Sequence, residues 1–253
     1  MVSSIRLEEL TSPEIREAIE SGYDTIVIAL GSNEQHGPCL PVATDTIIGD
    51  ELAEAVARKI GNALKGPTVN MGCSEHHMRF PGTITLRKET FQSVVKDICS
   101  SVSRHGFKTI VFLPSHGGNF GPLAEIEVEL RDSTPGVRVI AYTDLIGFAG
   151  VMAGTAASLG VSMEESGAHA GEAEVSLMMH VRGGLVRRDR IPSAEGYMGV
   201  FDSEVTSRIF EEGIGALSPI GVLGSPTKAE KGHGEKYLSD LTSAIVEYIN
   251  REK

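Results

Sequence analysis

The sequence predicts an α/β fold, a single three-layer α/β/α domain with a mostly parallel central sheet. Short apolar runs rich in β-branched residues occur at 23–30 and 109–113, and such runs are typical of strands covered on both faces. Apolar residues at helical spacing lie between them, and strands that alternate with helices indicate parallel pairing with right-handed crossovers. No linker, repeat or low-complexity tract divides the sequence, so residues 1–253 are expected to form one domain.

Start and stop signals along the chain predict the order of the elements. Ser12 and Pro13 indicate the start of a first helix and Gly22 its end, because hydroxyl residues cap helices and proline suits the first turn. The next elements are expected as a strand at 23–30, a helix at 46–60, a short strand at 67–70, a helix at 91–102, and strands at 109–113 and 137–142. A last helix at 235–251 is expected to pack one face on the sheet, through Tyr237, Leu238, Leu241, Ile245 and Tyr248.

The segment 145–163 has no charged residue and is long enough to cross a membrane. Glycine and hydroxyl residues dilute its apolar content, and Asp144 and Glu164 flank it where membrane spans usually carry lysine or arginine. We therefore expect a buried or subunit-facing helix, in which small residues allow close backbone approach, and no membrane partner.

Composition argues against two other classes of protein. The 34 acidic and 23 basic residues give a net charge of -11, which repels phosphate backbones and argues against nucleic-acid binding. The three cysteines have no C-x-x-C spacing, so neither a disulfide framework nor a thiolate zinc site is expected. Residues 1–10 have no apolar core of signal-peptide length, and a cytoplasmic location is therefore expected.

A set of carboxylate and imidazole side chains follows the first predicted strand. Glu34 and His36 are two residues apart, so in extended backbone they point the same way, and Asp45 follows at the head of the next helix. Such mixed donors are typical of divalent-metal sites. Two plainer interpretations stay open, in which Asp45 caps the helix and the other two are solvated loop residues.

Two further groups could complete such a site. His116 follows the second apolar strand, and the two glycines after it allow close backbone approach, although they could equally form a tight turn. On a helix, His169 and Glu172 would lie about 60° apart, whereas Glu174 would lie about 140° from His169. This spacing favours Glu172 as the partner of His169, and an exposed acidic first turn is the alternative.

These motifs, in this order, resemble those of the creatininase (creatinine amidohydrolase) family. The resemblance rests on the segments 31–45, 80–84, 115–119 and 169–172. It implies an α/β/α domain, a hydrolytic centre with two divalent ions, usually zinc, manganese or iron, and commonly a hexamer. By matching motif, it implies metal ligands at Glu34, His36, Asp45 and His116, with Asp45 between both ions, and a proton-transferring histidine at His169.

The chain departs from the family pattern in three places. Creatinine-cleaving members carry a ligand glutamate where this chain has Gly118, so Glu172 is expected to replace it as metal ligand and to join His169 in the catalytic set. Glu174 is the other candidate. Those members cover their substrate with tryptophan, which this chain lacks, so a substrate other than creatinine is expected. Cys39 stands where the family commonly has histidine, and its role stays open.

Together these features predict a metal-dependent amidohydrolase that cleaves a nonpeptide C–N bond, in a cyclic amide or a formamide, with water activated by two Zn, Mn or Fe ions. A small-molecule amide substrate and a homo-oligomer are expected. The substrate pocket is expected to be lined by two polar loops, of which the first is alternatively a surface turn: Ser74, Glu75, His76, His77, Gly117, Gly118 and Asn119. Action on a cyclic ketone or lactone, or a catalytically silent metal-stabilised oligomer, are the alternatives.

Overall fold

The computed structural model describes residues 2–252 and contains the expected central sheet. Its strands are β1 at Thr25–Leu30, β2 at Ala63–Lys65, β3 at Thr109–Pro114 and β4 at Arg138–Ala141. Within the described residues, these four strands pair in parallel in the order β2-β1-β3-β4. Every residue of β1 and β3 is buried, which explains why both read as continuous apolar runs.

Helices cover both faces of this sheet. They are α1 at Ser12–Glu20, α2 at Thr44–Ile60, α3 at Lys88–Ser103, α4 at Gly117–Asp132, α5 at Leu145–Ser158, α6 at Met163–Ser166, α7 at Glu172–Arg182, α8 at Ser203–Glu212 and α9 at Lys231–Arg251. Ile26 and Ile28 point to one face and pack with α1, α3 and α4. Val27 and Ala29 point to the other face and pack with α2 and α9. The predicted three-layer α/β fold is confirmed.

The first and last helices form close to where they are predicted. Thr11, one residue before the predicted cap, precedes α1, and its N–H and hydroxyl both donate to the Glu14 carboxylate at 2.7 Å. The predicted apolar face of α9 packs inside the chain, with Tyr237, Leu241 and Ile245 buried and Leu238 and Tyr248 half-buried.

The uncharged segment 145–163 forms α5 and the loop after it. Within α5 only Thr155 and Ala156 are buried, and Ile146 is 87% exposed, because the helix rests on the rest of the chain mainly along α9. The expectation of a buried helix is therefore wrong within this chain, and the subunit-facing alternative stays a prediction. No described helix has both the length and the apolar content needed to span a bilayer.

The short strand predicted at 67–70 lies earlier, at β2, and Val69 keeps a single bridge to β1. The sequence gives no sign of a buried strand that ends at Lys65, because lysine usually faces solvent. In the structure Lys65 is 1% exposed, and its ammonium contacts the carboxylates of Asp50 and Glu8. These charge pairs allow a lysine to remain in a buried edge strand.

Asp50 lies on α2, and its carboxylate connects this helix to Lys65 of β2. It accepts hydrogen bonds from Arg6 at 2.7 Å and from Thr68 at 2.7 Å, in addition to its contact with Lys65. Burial raises the pKa of Asp50, but the hydrogen bonds from Lys65, Thr68 and Arg6 outweigh burial and lower the pKa to about 2. The ionised carboxylate is therefore favoured by the fold.

The substitution Asp50→Asn is expected to lower the free energy of unfolding by about 2–3 kcal/mol at pH 7, because it removes a counterion of a buried ammonium. The folded pKa lies below the unfolded one, so wild type gains this stability above about pH 4 and loses it as the pH falls towards about 2. Urea unfolding of both proteins across this range measures the difference. The exposed Glu17→Gln serves as control, and equal stability of D50N and wild type at pH 7 would contradict the assignment.

Candidate metal centre

The four residues first predicted as metal ligands lie together beyond the carboxyl ends of β1 and β3, where open α/β sheets bind ligands. Glu34 and His36 belong to the loop after β1, and Asp45 lies in the first turn of α2. His116 follows β3 and is the residue before α4. All four side chains are buried, so the structure forms a closed basin rather than a solvated loop cluster.

The candidate ligand atoms form two groups that share Asp45. Glu34, Asp45 and His116 make one group, and His36, Asp45 and Glu174 make the other, with the atoms of each within 4.8 Å of one another. The Nδ1 of His116 lies 3.2 Å from Asp45 Oδ2 and 3.3 Å from Glu34 Oε2. The Nε2 of His36 lies 3.1 Å from Asp45 Oδ1 and 3.6 Å from Glu174 Oε2. The two oxygens of Asp45 thus face different groups, as a bridging carboxylate requires.

Backbone carbonyls fix the orientation of three imidazoles around the basin. The Nδ1 of His36 lies 3.1 Å from the carbonyl two residues earlier. The Nε2 of His116 lies 3.0 Å from the Cys73 carbonyl, and the Nε2 of His169 lies 2.8 Å from the Gln35 carbonyl. A carbonyl only accepts, so each of these nitrogens carries the hydrogen, and the other nitrogen of each ring faces the basin. Metal-ligating histidines are commonly anchored in this way.

Charges within the basin shift the pKa values of their neighbours. Burial lowers the pKa of His36, but Asp45 and Glu174 outweigh burial and raise it to about 10. Burial also lowers the pKa of His116, and Glu34 and Asp45 together raise it well above its usual value. Both shifts arise because the buried carboxylates favour positive charge beside them, and a divalent cation bound by these groups would supply such charge.

Glu34 gives independent support for a cation in the basin. Its Oε2 is buried and accepts no hydrogen bond from the described residues, although His116 Nδ1 lies 3.3 Å away. A buried carboxylate oxygen without a donor costs free energy. A cation next to this oxygen would remove that cost, and the residues present therefore fit a divalent metal.

His169 lies beside the basin in a different electrostatic state. It forms a third group with Glu34 and His36, and its Nδ1 lies 3.7 Å from Glu34 Oε1. Burial and the charge of His36 lower the pKa of His169 to about 3. Its ring is therefore neutral at pH 7, with a free lone pair on Nδ1 directed to the basin.

Glu172 points away from the basin, and Glu174 lies where Glu172 was expected. The helix α7 begins at Glu172 after Gly171, so His169 is not on this helix and helical angles do not relate the two residues. The buried carboxylate of Glu172 instead accepts hydrogen bonds at 2.7–2.8 Å from Ser176, His233 and Tyr237. The geometry thus corrects the expectation of Glu172 as metal ligand and catalytic residue, and it favours Glu174.

Two residues of the glycine-rich loop have structural roles. A Cβ at Gly118 would lie 2.2 Å from the Cys73 carbonyl and 2.5 Å from His116 Nε2, so a side chain there would displace the anchored ring. A carboxylate side chain does not fit at this position, and Glu174 of α7 is the candidate that brings a further carboxylate to the basin. Asn119 is a predicted substrate-binding residue, but its side chain connects two loops instead. Its Nδ2 donates to the carbonyls of Leu30 and Gly31, and its Oδ1 accepts from the N–H of Cys73.

The remaining pocket candidates divide into residues that contact His116 and residues that are exposed to solvent. Ser74 is buried, with its Oγ 3.4 Å from His116 Nε2, and the half-buried ring of His76 stacks on His116 with centroids 5.8 Å apart. Glu75 and Gly117 are exposed. The structure therefore places Ser74 and His76 next to the basin and Glu75 outside it.

Sequence reasoning missed Gln35 and assigned His77 only to the pocket wall. The Nε2 of His77 lies 3.3 Å from Glu34 Oε1, and the Gln35 amide lies 3.0 Å from both His77 and His169. In an extended segment Gln35 would point away from Glu34 and His36, so alternation gives no sign of its position. Only the contact between three separate loops brings these side chains together.

Comparison with known proteins gives consistent matches along the whole chain. The family model described as Creatininase, creatinine amidohydrolase, matches residues 8–249. A mycofactocin precursor peptide peptidase of Mycolicibacterium smegmatis is 29% identical over 238 residues, covering 92% of this chain and 87% of the relative. The creatinine amidohydrolase of Pseudomonas putida is 27% identical over 271 residues, covering 100% of this chain and 98% of the relative. A solved mutant creatininase of Zn-Zn type superposes with a TM-score of 0.82 at 25% identity, covering 99% of this chain and 98% of that chain.

These matches agree with the motifs and with the parallel sheet flanked by helices. The named relatives are hydrolases, and their similarity extends over the loops that form the basin. The resemblance inferred from the sequence is confirmed, and the chain belongs to the creatininase family of amidohydrolases.

Proposed function

We propose that this chain is a metal-dependent amidohydrolase that hydrolyses the C–N bond of an amide at a centre for two divalent ions. The observation that carries the proposal is the position of Asp45, whose two oxygens face two different groups of ligand atoms. Glu34, Asp45 and His116 would hold one ion. His36, Asp45 and Glu174 would hold the other.

The donor set of carboxylates and imidazoles suits zinc, manganese or ferrous iron. Two such ions supply Lewis-acid chemistry, in which they polarise a carbonyl and lower the pKa of water. The similarity to a creatininase of Zn-Zn type favours zinc as the first ion to test.

His169 is the proposed proton carrier of the reaction. Its neutral ring presents Nδ1 to the basin, while its Nε2 is held by the Gln35 carbonyl at 2.8 Å. The Nδ1 lone pair can accept a proton from the water molecule that attacks the amide carbon. The ring can then donate this proton to the departing amide nitrogen. The carbonyl anchor keeps the ring in one tautomer through both transfers.

The closed basin favours a small reacting group. Glu34, His36, Asp45 and His116 are each at most 4% exposed, and His169 is 8% exposed. Such burial disfavours a bulky substrate around the bond to be cleaved, and a formamide or a small cyclic amide has the least bulk there. We therefore propose a nonpeptide amide as the first substrate class, contacted by Ser74 and His76 beside His116.

A second candidate is the terminal amide bond of a short peptide. The similarity to a peptide peptidase over 92% of this chain favours it. The same closed basin would restrict such an activity to a chain end or a flexible segment.

The central experiment removes and restores the metal. Chelation of the purified protein is expected to abolish hydrolysis of formamides, cyclic amides or short peptides, and zinc, manganese or ferrous iron is expected to restore it.

The substitution Asp45→Asn is expected to lower kcat by about 100-fold or more with an unchanged fold. Loss of one group that stabilises the charge of the transition state in a buried site typically costs about that much. Activity that survives chelation, or D45N with wild-type turnover, would contradict the proposal.

A matched pair of variants tests the identity of the last ligand. With Glu174→Gln, elemental analysis is expected to show about one ion per chain instead of about two, because one group loses its second carboxylate. With Glu172→Gln, the metal content is expected to stay unchanged, while the free energy of unfolding falls by about 1–3 kcal/mol through broken buried hydrogen bonds. Metal loss in E172Q but not in E174Q would reverse the assignment.

A further inference from the structure

The side chain of Gln35 is held in one orientation by two backbone groups. The N–H of Gly37 donates to Gln35 Oε1 at 2.9 Å, and Gln35 Nε2 donates to the Gly221 carbonyl at 3.0 Å. The oxygen and nitrogen of the amide are therefore assigned by their partners. Gly221 has a φ of +75°, and a Cβ there would lie 2.0 Å from Gln35 Oε1, so this close approach requires glycine.

The second hydrogen of the Gln35 amide has two neighbours. Gln35 Nε2 lies 3.0 Å from His77 Nδ1 and 3.0 Å from His169 Nε2. His169 Nε2 already donates to the Gln35 carbonyl at 2.8 Å, so it has no lone pair to accept with. The amide hydrogen must therefore go to His77 Nδ1.

This hydrogen bond determines the tautomer of His77. A ring nitrogen that accepts carries no hydrogen, so the single hydrogen of His77 lies on Nε2. The Nε2 of His77 lies 3.3 Å from Glu34 Oε1. His77 thus turns its N–H towards Glu34 Oε1, while the other oxygen, Oε2, is buried and has no hydrogen bond from the described residues.

We propose that Gln35 and His77 are positioning residues, in which the Gln35 amide makes His77 a donor to Glu34 Oε1 and so directs Glu34 Oε2 to the metal. The inference rests on the proposed function, because it takes Glu34 as a ligand. Hydrogen bonds to a metal-ligating carboxylate fix its orientation, and their loss typically lowers metal affinity 10–100-fold. His77 itself lies outside the two ligand groups.

Two amide variants of His77 separate its contact with Glu34 from its hydrogen bond with Gln35. In His77→Gln the side-chain nitrogen reaches the position of Nε2 and keeps the donor to Glu34. In His77→Asn the amide reaches only the position of Nδ1 and keeps the contact with Gln35. By competition with a chelator, zinc affinity is expected to fall about 10–100-fold in H77N and to stay within about threefold of wild type in H77Q. A purely structural role of the ring would affect both variants alike.

The ring hydrogen of His77 is read directly by 15N spectra of the histidines, in metal-free and in zinc-loaded protein. The hydrogen is expected on Nε2 of His77 in both states. A hydrogen on Nδ1, or an H77N variant that binds zinc as tightly as wild type, would overturn the inference. If wild type binds neither zinc nor manganese nor ferrous iron, the proposed function fails, and the spectra of metal-free protein still decide the tautomer of His77.

Discussion

The buried carboxylate of Asp45 is the group on which the whole site depends. It lies in the first turn of α2, where the helix dipole favours negative charge, and Ser32 donates to its Oδ2 at 2.7 Å. Burial raises its pKa, but His36 and His116 outweigh burial and lower the pKa well below its usual value. Because its two oxygens face two histidines from different loops, α2, β1 and β3 must keep a fixed relation for the site to exist.

Backbone carbonyls set the directions of three imidazoles around the basin. One ring nitrogen of each histidine donates to a backbone carbonyl, and only the other nitrogen faces the basin. This holds for His36, His116 and His169. These carbonyls belong to loops that also carry candidate ligands or candidate pocket residues, so one loop conformation positions both the carbonyls and these side chains. Glycine at Gly118 and Gly221 makes the necessary close approaches possible. The result is a preorganised arrangement in which little reorganisation is needed on binding.

The parts of the site that follow from local rules could be predicted from the sequence. The spacing of Glu34 and His36 after a strand, and Asp45 at a helix start, needs only the geometry of one segment. The positions of Glu172 and Glu174 relative to the basin could not be predicted, because they depend on where α7 begins. The position of β2 could not be predicted either, because the burial of Lys65 depends on carboxylates from elements distant in the sequence.

Anomalous diffraction from zinc-loaded crystals tests the central claim most directly. The account predicts two zinc peaks per chain, both in contact with Asp45, one of them next to Glu34 and His116 and the other next to His36 and Glu174. No peak in the basin, or a single peak that does not contact Asp45, would contradict it.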